Sequence, residues 1–294
     1  GKDFETCVRI LKSRGYDILI SGSDEIWNNR MNRPIPNLFF IPPEIDALKI
    51  SFATSANRGD FNKLTEKQKR YISDSLNEYS YIAVRDHNTK EFVSKLANKG
   101  SELLPDPTLA CDFPEYRYES AILTKAKKRN KKIIGLMLKN KDIAKKIIQE
   151  YGNKYQIVSI FSMYEDIPAL YLKTPLEFTC VFKYFDLAVT DFFHGTVFCI
   201  RNNTPFISID SEEIYKKYKS KIADMLERMD LSDHYLQIWN CDNSELSLLH
   251  KKIAAYINNK GKTDYTSIIE TAKNDYAIAL NTIKQIILKR ASVL

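Results

Sequence analysis

Short apolar runs alternate with longer amphipathic segments along most of this chain. Tyr16 to Ile20 (YDILI) and Lys49 to Thr54 (KISFAT) have the apolar density of buried strands. Each ends in small or polar residues: Ser21, Gly22, Ser23 and Asp24 after the first, Ser55 to Gly59 after the second. Between Thr65 and Tyr79 apolar positions return at helical spacing with Lys and Glu opposite them, and Thr65-Glu66 is a start signal. The period then changes, so that Tyr81 to Val84 reads as a strand closing on Arg85 and Asp86, and Asn88 to Asn98 as an amphipathic helix. Glu102 to Leu104 leads into Pro105-Asp106-Pro107-Thr108, where two prolines predict an extended segment and exclude helix.

The basic run Lys125, Lys127, Lys128, Arg129, Lys131 and Lys132 reads as a solvated linker. Beyond it the alternation resumes: strand Lys132 to Leu138, helix Asp142 to Tyr151, strand Gln156 to Phe161, a helix near Leu176 to Phe185, strand Leu187 to Thr190, a helical piece from Gly195 to Arg201, and strand Thr204 to Ile209. Strands that alternate with helices predict parallel sheets covered on both faces, hence an α/β fold of two Rossmann-like domains. Their expected extents are 1–124 and 131–262. A helix over 263–294 is expected to return toward the first domain, with Ile268, Ile269, Ala272, Tyr276, Ala279, Leu280, Ile283 and Ile287 on one face.

A length of 294 residues suits two packed units, and 44% hydrophobic with 28% charged residues is ordinary globular balance. The longest apolar run, Ile133 to Leu138, is far short of the roughly 18 residues that cross a bilayer, so a cytoplasmic protein is expected. Nine scattered glycines form neither GxGxxG nor GxxxxGK[ST], which excludes the usual glycine-rich phosphate cradles. Cys7, Cys111, Cys180, Cys199 and Cys241 lack any CxxC, and the four histidines show no ligand spacing. Reduced thiols and no metal are expected. The formal charge of +7 is diffuse and mildly favours anionic ligands, with no basic stripe of the kind that binds nucleic acid.

Three loops collect the unusual polar residues, and each follows a predicted strand: Ser21 to Asn28, Arg85 to His87, and Asp191 to Thr196. Ligands of open α/β sheets bind at such carboxyl ends, so the loops of both domains are expected to face a common cleft. In Asp191-Phe192-Phe193-His194-Gly195-Thr196 a strand hands over to a helix, a place where backbone N–H groups favour an anion and His194 could move a proton. A half-buried, carbonyl-bonded histidine fits the same pattern. Arg85 could offer its planar fork to a carboxylate or phosphate, or simply pair with Asp86 or Asp106. Arg201 fits a structural ion pair more readily than a ligand contact. Asp24, after Gly22-Ser23, is a helix cap or an acid. Trp27 and Asn28 form the sort of pair that binds a sugar, while Trp27 fits a core equally well.

Ile20-Ser21-Gly22-Ser23-Asp24-Glu25-Ile26-Trp27-Asn28, Ile82-Ala83-Val84-Arg85-Asp86, Pro105-Asp106-Pro107-Thr108 and Thr190-Asp191-Phe192-Phe193-His194-Gly195-Thr196-Val197-Phe198, with Thr204-Pro205-Phe206-Ile207, resemble in order and gaps the polysaccharide pyruvyl transferase family. The likeness covers residues 16 to 210, and Lys221 to Asp233 looks like the family's leucine-bearing helix. The resemblance implies a fold similar to the glycosyltransferase B architecture. It also implies transfer of a pyruvyl group from phosphoenolpyruvate to hydroxyls of a polysaccharide precursor, forming a ketal, with a saccharide acceptor that can be lipid-linked and no cofactor beyond the donor. It implies donor contact or proton donation by His194, donor contact by Arg85, and acceptor activation by Asp24 or Asp86. Ser23, Trp27, Asn28, Gly195, Thr196 and Arg201 would then contact substrates. Some members carry an arginine two residues before the histidine. Phe192 stands there, so Arg201 or a lysine is expected to supply the second cationic contact. Members also begin with a strand and helix that Gly1 would follow, so a first domain truncated or abbreviated at its start is expected. A sugar-nucleotide glycosyltransferase and a non-catalytic saccharide-binding relative are the alternatives.

Overall fold

Asp3 accepts a hydrogen bond from the Thr6 amide and so starts α1 (Phe4–Ser13), the first element of a computed structural model that describes residues 3–30 and 34–292. After it come β1 (Ile18–Ser21), β2 (Leu48–Thr54), α2 (Glu66–Asn77), β3 (Tyr79–Val84), α3 (His87–Leu96), β4 (Glu102–Leu103) and the single turn α4 (Pro107–Ala110). The strands form one parallel sheet in the order β1-β2-β3-β4. A reciprocal cap between Thr65 and Gln68 opens α2, as the start signal predicts. Ile72, Leu76, Ile82, Val84, Phe92 and Val93 form the core with Trp27 and Phe40. The extended conformation expected across Pro107 gives way to α4, because a proline in the first helical turn loses no hydrogen bond that the helix needs.

This unit comprises Gly1–Ala110 together with Ala272–Leu294, and Cys111–Thr271 forms a second. The division thus falls ahead of the basic run, and that run is not a linker. Most of its residues belong to or flank α5 (Ala121–Lys128), capped by Ser120 and anchored by buried Leu123 and Ala126, with lysines in the last turn where the helix dipole favours them.

The second unit continues with β5 (Ile133–Met137), α6 (Lys141–Tyr151), β6 (Gln156–Ile160), β7 (Ala169–Leu170), α7 (Pro175–Val181), β8 (Leu187–Thr190), α8 (Phe193–Arg201), β9 (Phe206–Asp210), α9 (Lys221–Arg228), β10 (Tyr235–Gln237) and α10 (Asn243–Tyr256). All strand pairs are parallel, in the order β10-β9-β8-β5-β6-β7. That is the doubly wound Rossmann order. Its switch point, where the chain reverses its direction of growth across the sheet, lies between β5 and β8. Ile134, Leu136, Ile157, Leu187, Val189 and Ile207 fill the core against α6 and α10. Gly135 is required at the centre of β5, since a Cβ there would lie 2.4 Å from the Phe185 ring.

The last helix, α11 (Thr266–Ala291), buries Ala272, Tyr276, Ala279 and Ile283, while Leu280 of the predicted apolar face is exposed. The Tyr276 hydroxyl donates to the Pro105 carbonyl at 2.9 Å, and its ring meets Phe52 edge-on. The predicted end of this helix at Leu294 lies outside the described residues. Among the described residues no helix is long and apolar enough to cross a membrane.

Candidate active site

At the switch point of the second unit, two loops leave β5 and β8 side by side and are tied together. The Asp191 carboxylate accepts from the amides of Lys139 (2.7 Å) and Asn140 (3.2 Å), and the Asp191 amide donates to the Met137 carbonyl. Burial pushes the Asp191 carboxyl up, while the two amides and Lys139 oppose the shift. The chain then turns directly into α8. Its N-cap, Phe192, makes no side-chain capping hydrogen bond, and the positive end of the helix dipole lies at this turn. His194 is exposed in that first turn. Gly195 explains the sharpness of the turn: a Cβ there would come 2.4 Å from Thr190 Oγ1 and 3.1 Å from Met137 Sδ, so only glycine lets α8 start this close to the sheet.

Two lysines flank the turn. Lys139 Nζ lies 5.0 Å from the centroid of the Phe192 ring, and Lys221 Nζ lies 5.0 Å from that of Phe193. A cavity of about 260 Å³ opens beside Lys139, lined also by Asp191, Ser211, Glu212 and Tyr215. Thr196 is not a ligand. It is fully buried, with its hydroxyl 2.6 Å from Ser208 Oγ and bonded to the Phe192 carbonyl, so it fastens α8 to β9. Arg201 lies in the last turn of α8, about two turns and about 10 Å along the axis from His194. Its guanidinium packs 4.9 Å from the centroid of Phe113, and burial lowers its pKa. It stabilises the opposite end of the helix.

In the first unit, the loop after β1 is stitched to the exit of β2 by Ser55 N to Asp24 O (3.0 Å) and Trp27 N to Ser55 O (3.1 Å). This folds Trp27 inward. Its side chain is 1% exposed, its indole N–H donates to the Phe39 carbonyl at 2.9 Å, and it stacks on Phe40. Asn28 is buried as well and bonds Glu25 and the Arg30 amide. Neither residue can present a face to a sugar. Asp86 is a cap: its two oxygens accept from Ser55 Oγ, Thr89 N and Thr89 Oγ1 within 2.7 Å, and burial raises its pKa. With both oxygens engaged and 2% of the residue exposed, it is not placed to take a proton from a substrate. Arg85 is buried, donating to Asp106 at 2.6 Å and to the Ser23 carbonyl at 3.0 Å, with Asp24 3.8 Å away. Asp24 is the exposed carboxylate of the group, its side chain 78% accessible. Ser23 and Asp24 border a mostly apolar pocket of about 520 Å³ with Leu19, Ile26, Leu38 and Phe39.

Sucrose-phosphate synthase from Thermosynechococcus elongatus aligns with this structure at a TM-score of 0.56 over 98% of this chain and 78% of that one, at 12% identity. S. aureus MnaA, solved with UDP, aligns at 0.55 over 90% and 74%, at 10% identity. At such identities the likeness establishes the fold, which is of glycosyltransferase B type. No curated protein matches the sequence. The family model of polysaccharide pyruvyl transferase matches residues 2–213, which reaches into both units and takes in the motifs between Ile20 and Ile207, though not Lys221 to Asp233. The chain belongs to the polysaccharide pyruvyl transferase family. As a member of it, the protein is a transferase.

Among the described residues, Lys139 stands beside Phe192 and Lys221 beside Phe193. The sequence carried one signal for Lys139, a lysine directly after the β5 strand. Lys221 opens the segment that resembles the family's leucine-bearing helix, but its place at the turn depends on how α9 packs beside α8.

Proposed function

We propose that this pyruvyl transferase family member transfers the enolpyruvyl group of phosphoenolpyruvate to sugar hydroxyls of a polysaccharide precursor in the cytoplasm, and that the anionic donor sits at the first turn of α8. The observation that carries the proposal is the turn itself: His194 is exposed at an N-terminus without a capping side chain, flanked by Lys139 and Lys221, at the switch point of a Rossmann sheet. The helix end, Lys221 and Lys139, which also pairs with Glu212 at 3.6 Å, supply positive potential that suits an anionic donor.

In the proposed reaction His194 gives a proton to the methylene carbon of the donor, turning it into a methyl group, while a sugar oxygen forms a bond to the central carbon. The proton of that hydroxyl passes to solvent, and Lys139 and Lys221 beside the turn hold the donor's anionic groups. A second sugar hydroxyl then displaces phosphate from the same carbon and closes the ketal, its proton leaving with the phosphate. Positioning by fixed cations provides most of the acceleration in such a scheme.

The alternative donor is a sugar nucleotide, which the same fold could hold. Phosphate release from phosphoenolpyruvate in the presence of a saccharide acceptor separates the two. His194→Ala should lower the rate by a factor of about 100 or more, in the range of a lost general acid, with the fold intact. Equal release by the variant and the wild type would refute the assignment.

A further inference from the structure

The carboxyl edge of the second sheet carries a feature that donor binding does not use. Phe161 follows β6 directly and is 62% exposed, Met163 is 86% exposed, and Tyr171, which follows β7 directly, is 77% exposed. The parallel register pairs Ile160 with Leu170, so Phe161 and Tyr171 leave neighbouring strands at the same level. Those strands lie about 5 Å apart, which places both residues at the same end of the sheet. Phe178 backs the Phe161 ring at 5.1 Å.

The loop is held in a costly conformation. Phe161 has φ +65°, a left-handed value that bulky residues avoid. Ser162 Oγ (2.8 Å) and Tyr164 OH (2.7 Å) both donate to the Leu138 carbonyl and pull the chain back over the end of β5. Leu138 immediately precedes Lys139, so the loop is tied to the chain one residue before the candidate donor site, and in strand order β6 lies next to β5 and β5 next to β8. Strain retained at an exposed aromatic beside a reaction site is the pattern of a binding element.

We propose that Phe161, Met163 and Tyr171 form the platform on which the saccharide acceptor lies, with the rings against the apolar face of a pyranose. This rests on the pyruvyl transfer reading for its role, though the binding itself does not depend on the identity of the donor. The charge of the loop favours a neutral polyhydroxyl ligand over an anionic lipid surface, because exposed Glu165 and Asp166 sit between the two strands. Rings of this kind meet sugars through their faces while adjacent polar groups take the hydroxyls.

The test uses the full chain with its five methionines carrying a ¹³C-labelled methyl group, and no phosphoenolpyruvate. Tetrasaccharides of glucose, N-acetylglucosamine, galactose and mannose are titrated separately while the Met163 methyl resonance is followed. At least one should shift it, and Phe161→Ala with Tyr171→Ala should weaken that binding at least fivefold. Phe161→Gly should lose affinity while its midpoint of unfolding stays level or rises, since glycine accepts φ +65° without strain. No shift with any saccharide, a shift untouched by these substitutions, or a response to phosphatidylglycerol vesicles alone would each overturn the proposal. Because the donor is absent, failure here leaves the phosphate-release result unaffected, and the reverse also holds.

Discussion

His194 and Arg85 arise from one sequence signal, a cationic side chain where an apolar strand ends, yet their surroundings differ. His194 is exposed on a turn, whereas Arg85 and Asp106 are both nearly inaccessible, 3% and 2% for their side chains. Removing one member of a buried pair leaves a charge without its counterion, at a cost of about 3–5 kcal/mol. Arg85→Met should therefore destabilise the protein by about that much in urea unfolding, and Arg85→Met with Asp106→Asn should recover most of the loss. Equal instability of the single and double variants would show that charge compensation is not what Arg85 provides. His234 offers a pH signature. Its ring stacks on Phe206 and bonds the Phe206 carbonyl at 3.0 Å, and burial, with Lys252 nearby, lowers its pKa. The unfolded state then binds a proton more readily than the folded one, so the histidine costs stability as pH falls through and below about 6.5. Asp86, Asp191 and Asp210 have raised values and work in the opposite sense, gaining stability on acidification. Subtracting the stability of His234→Gln from that of the wild type isolates the imidazole, and the difference should move against the wild type between pH 7 and pH 5.

Among the elements, those with one strong period were legible. The strand Leu187–Thr190 lies where its apolar run predicts, and the cap at Thr65 opens α2 as expected. The helix α5 was hidden because its lysines outweigh two buried anchors, Leu123 and Ala126, and charge density alone resembles a linker. At the candidate site the motif was legible and most side-chain roles were not. Trp27 and Thr196 stand beside polar loop residues in sequence but point into cores that form only when distant segments, Phe39-Phe40 and Ser208, pack against them. The glycine of the α8 turn could be located from sequence but its reason could not, since that reason is the proximity of Thr190 and Met137. Gly195→Ala should cost about 1–2 kcal/mol in thermal unfolding, because overpacking outweighs the gain of roughly 1 kcal/mol in helix propensity. Its effect on transfer should exceed its effect on stability, as the displaced turn carries His194. A variant as stable and as active as the wild type would contradict the packing derived for α8.

The chain as a unit combines a Rossmann sheet in the 3-2-1-4-5-6 order, a formal charge of +7 and the family match over residues 2–213. The proposal of phosphoenolpyruvate over a nucleotide as donor rests on the chemistry of one helix turn. The decisive measurement is calorimetric titration of the full chain with phosphoenolpyruvate, with UDP as the competing ligand, on the wild type and on His194→Ala with Lys139→Ala. Saturable phosphoenolpyruvate binding that UDP does not displace, weakened at least tenfold by the paired substitution, is the predicted result. Tight UDP binding with no heat from phosphoenolpyruvate would contradict the assignment of the donor.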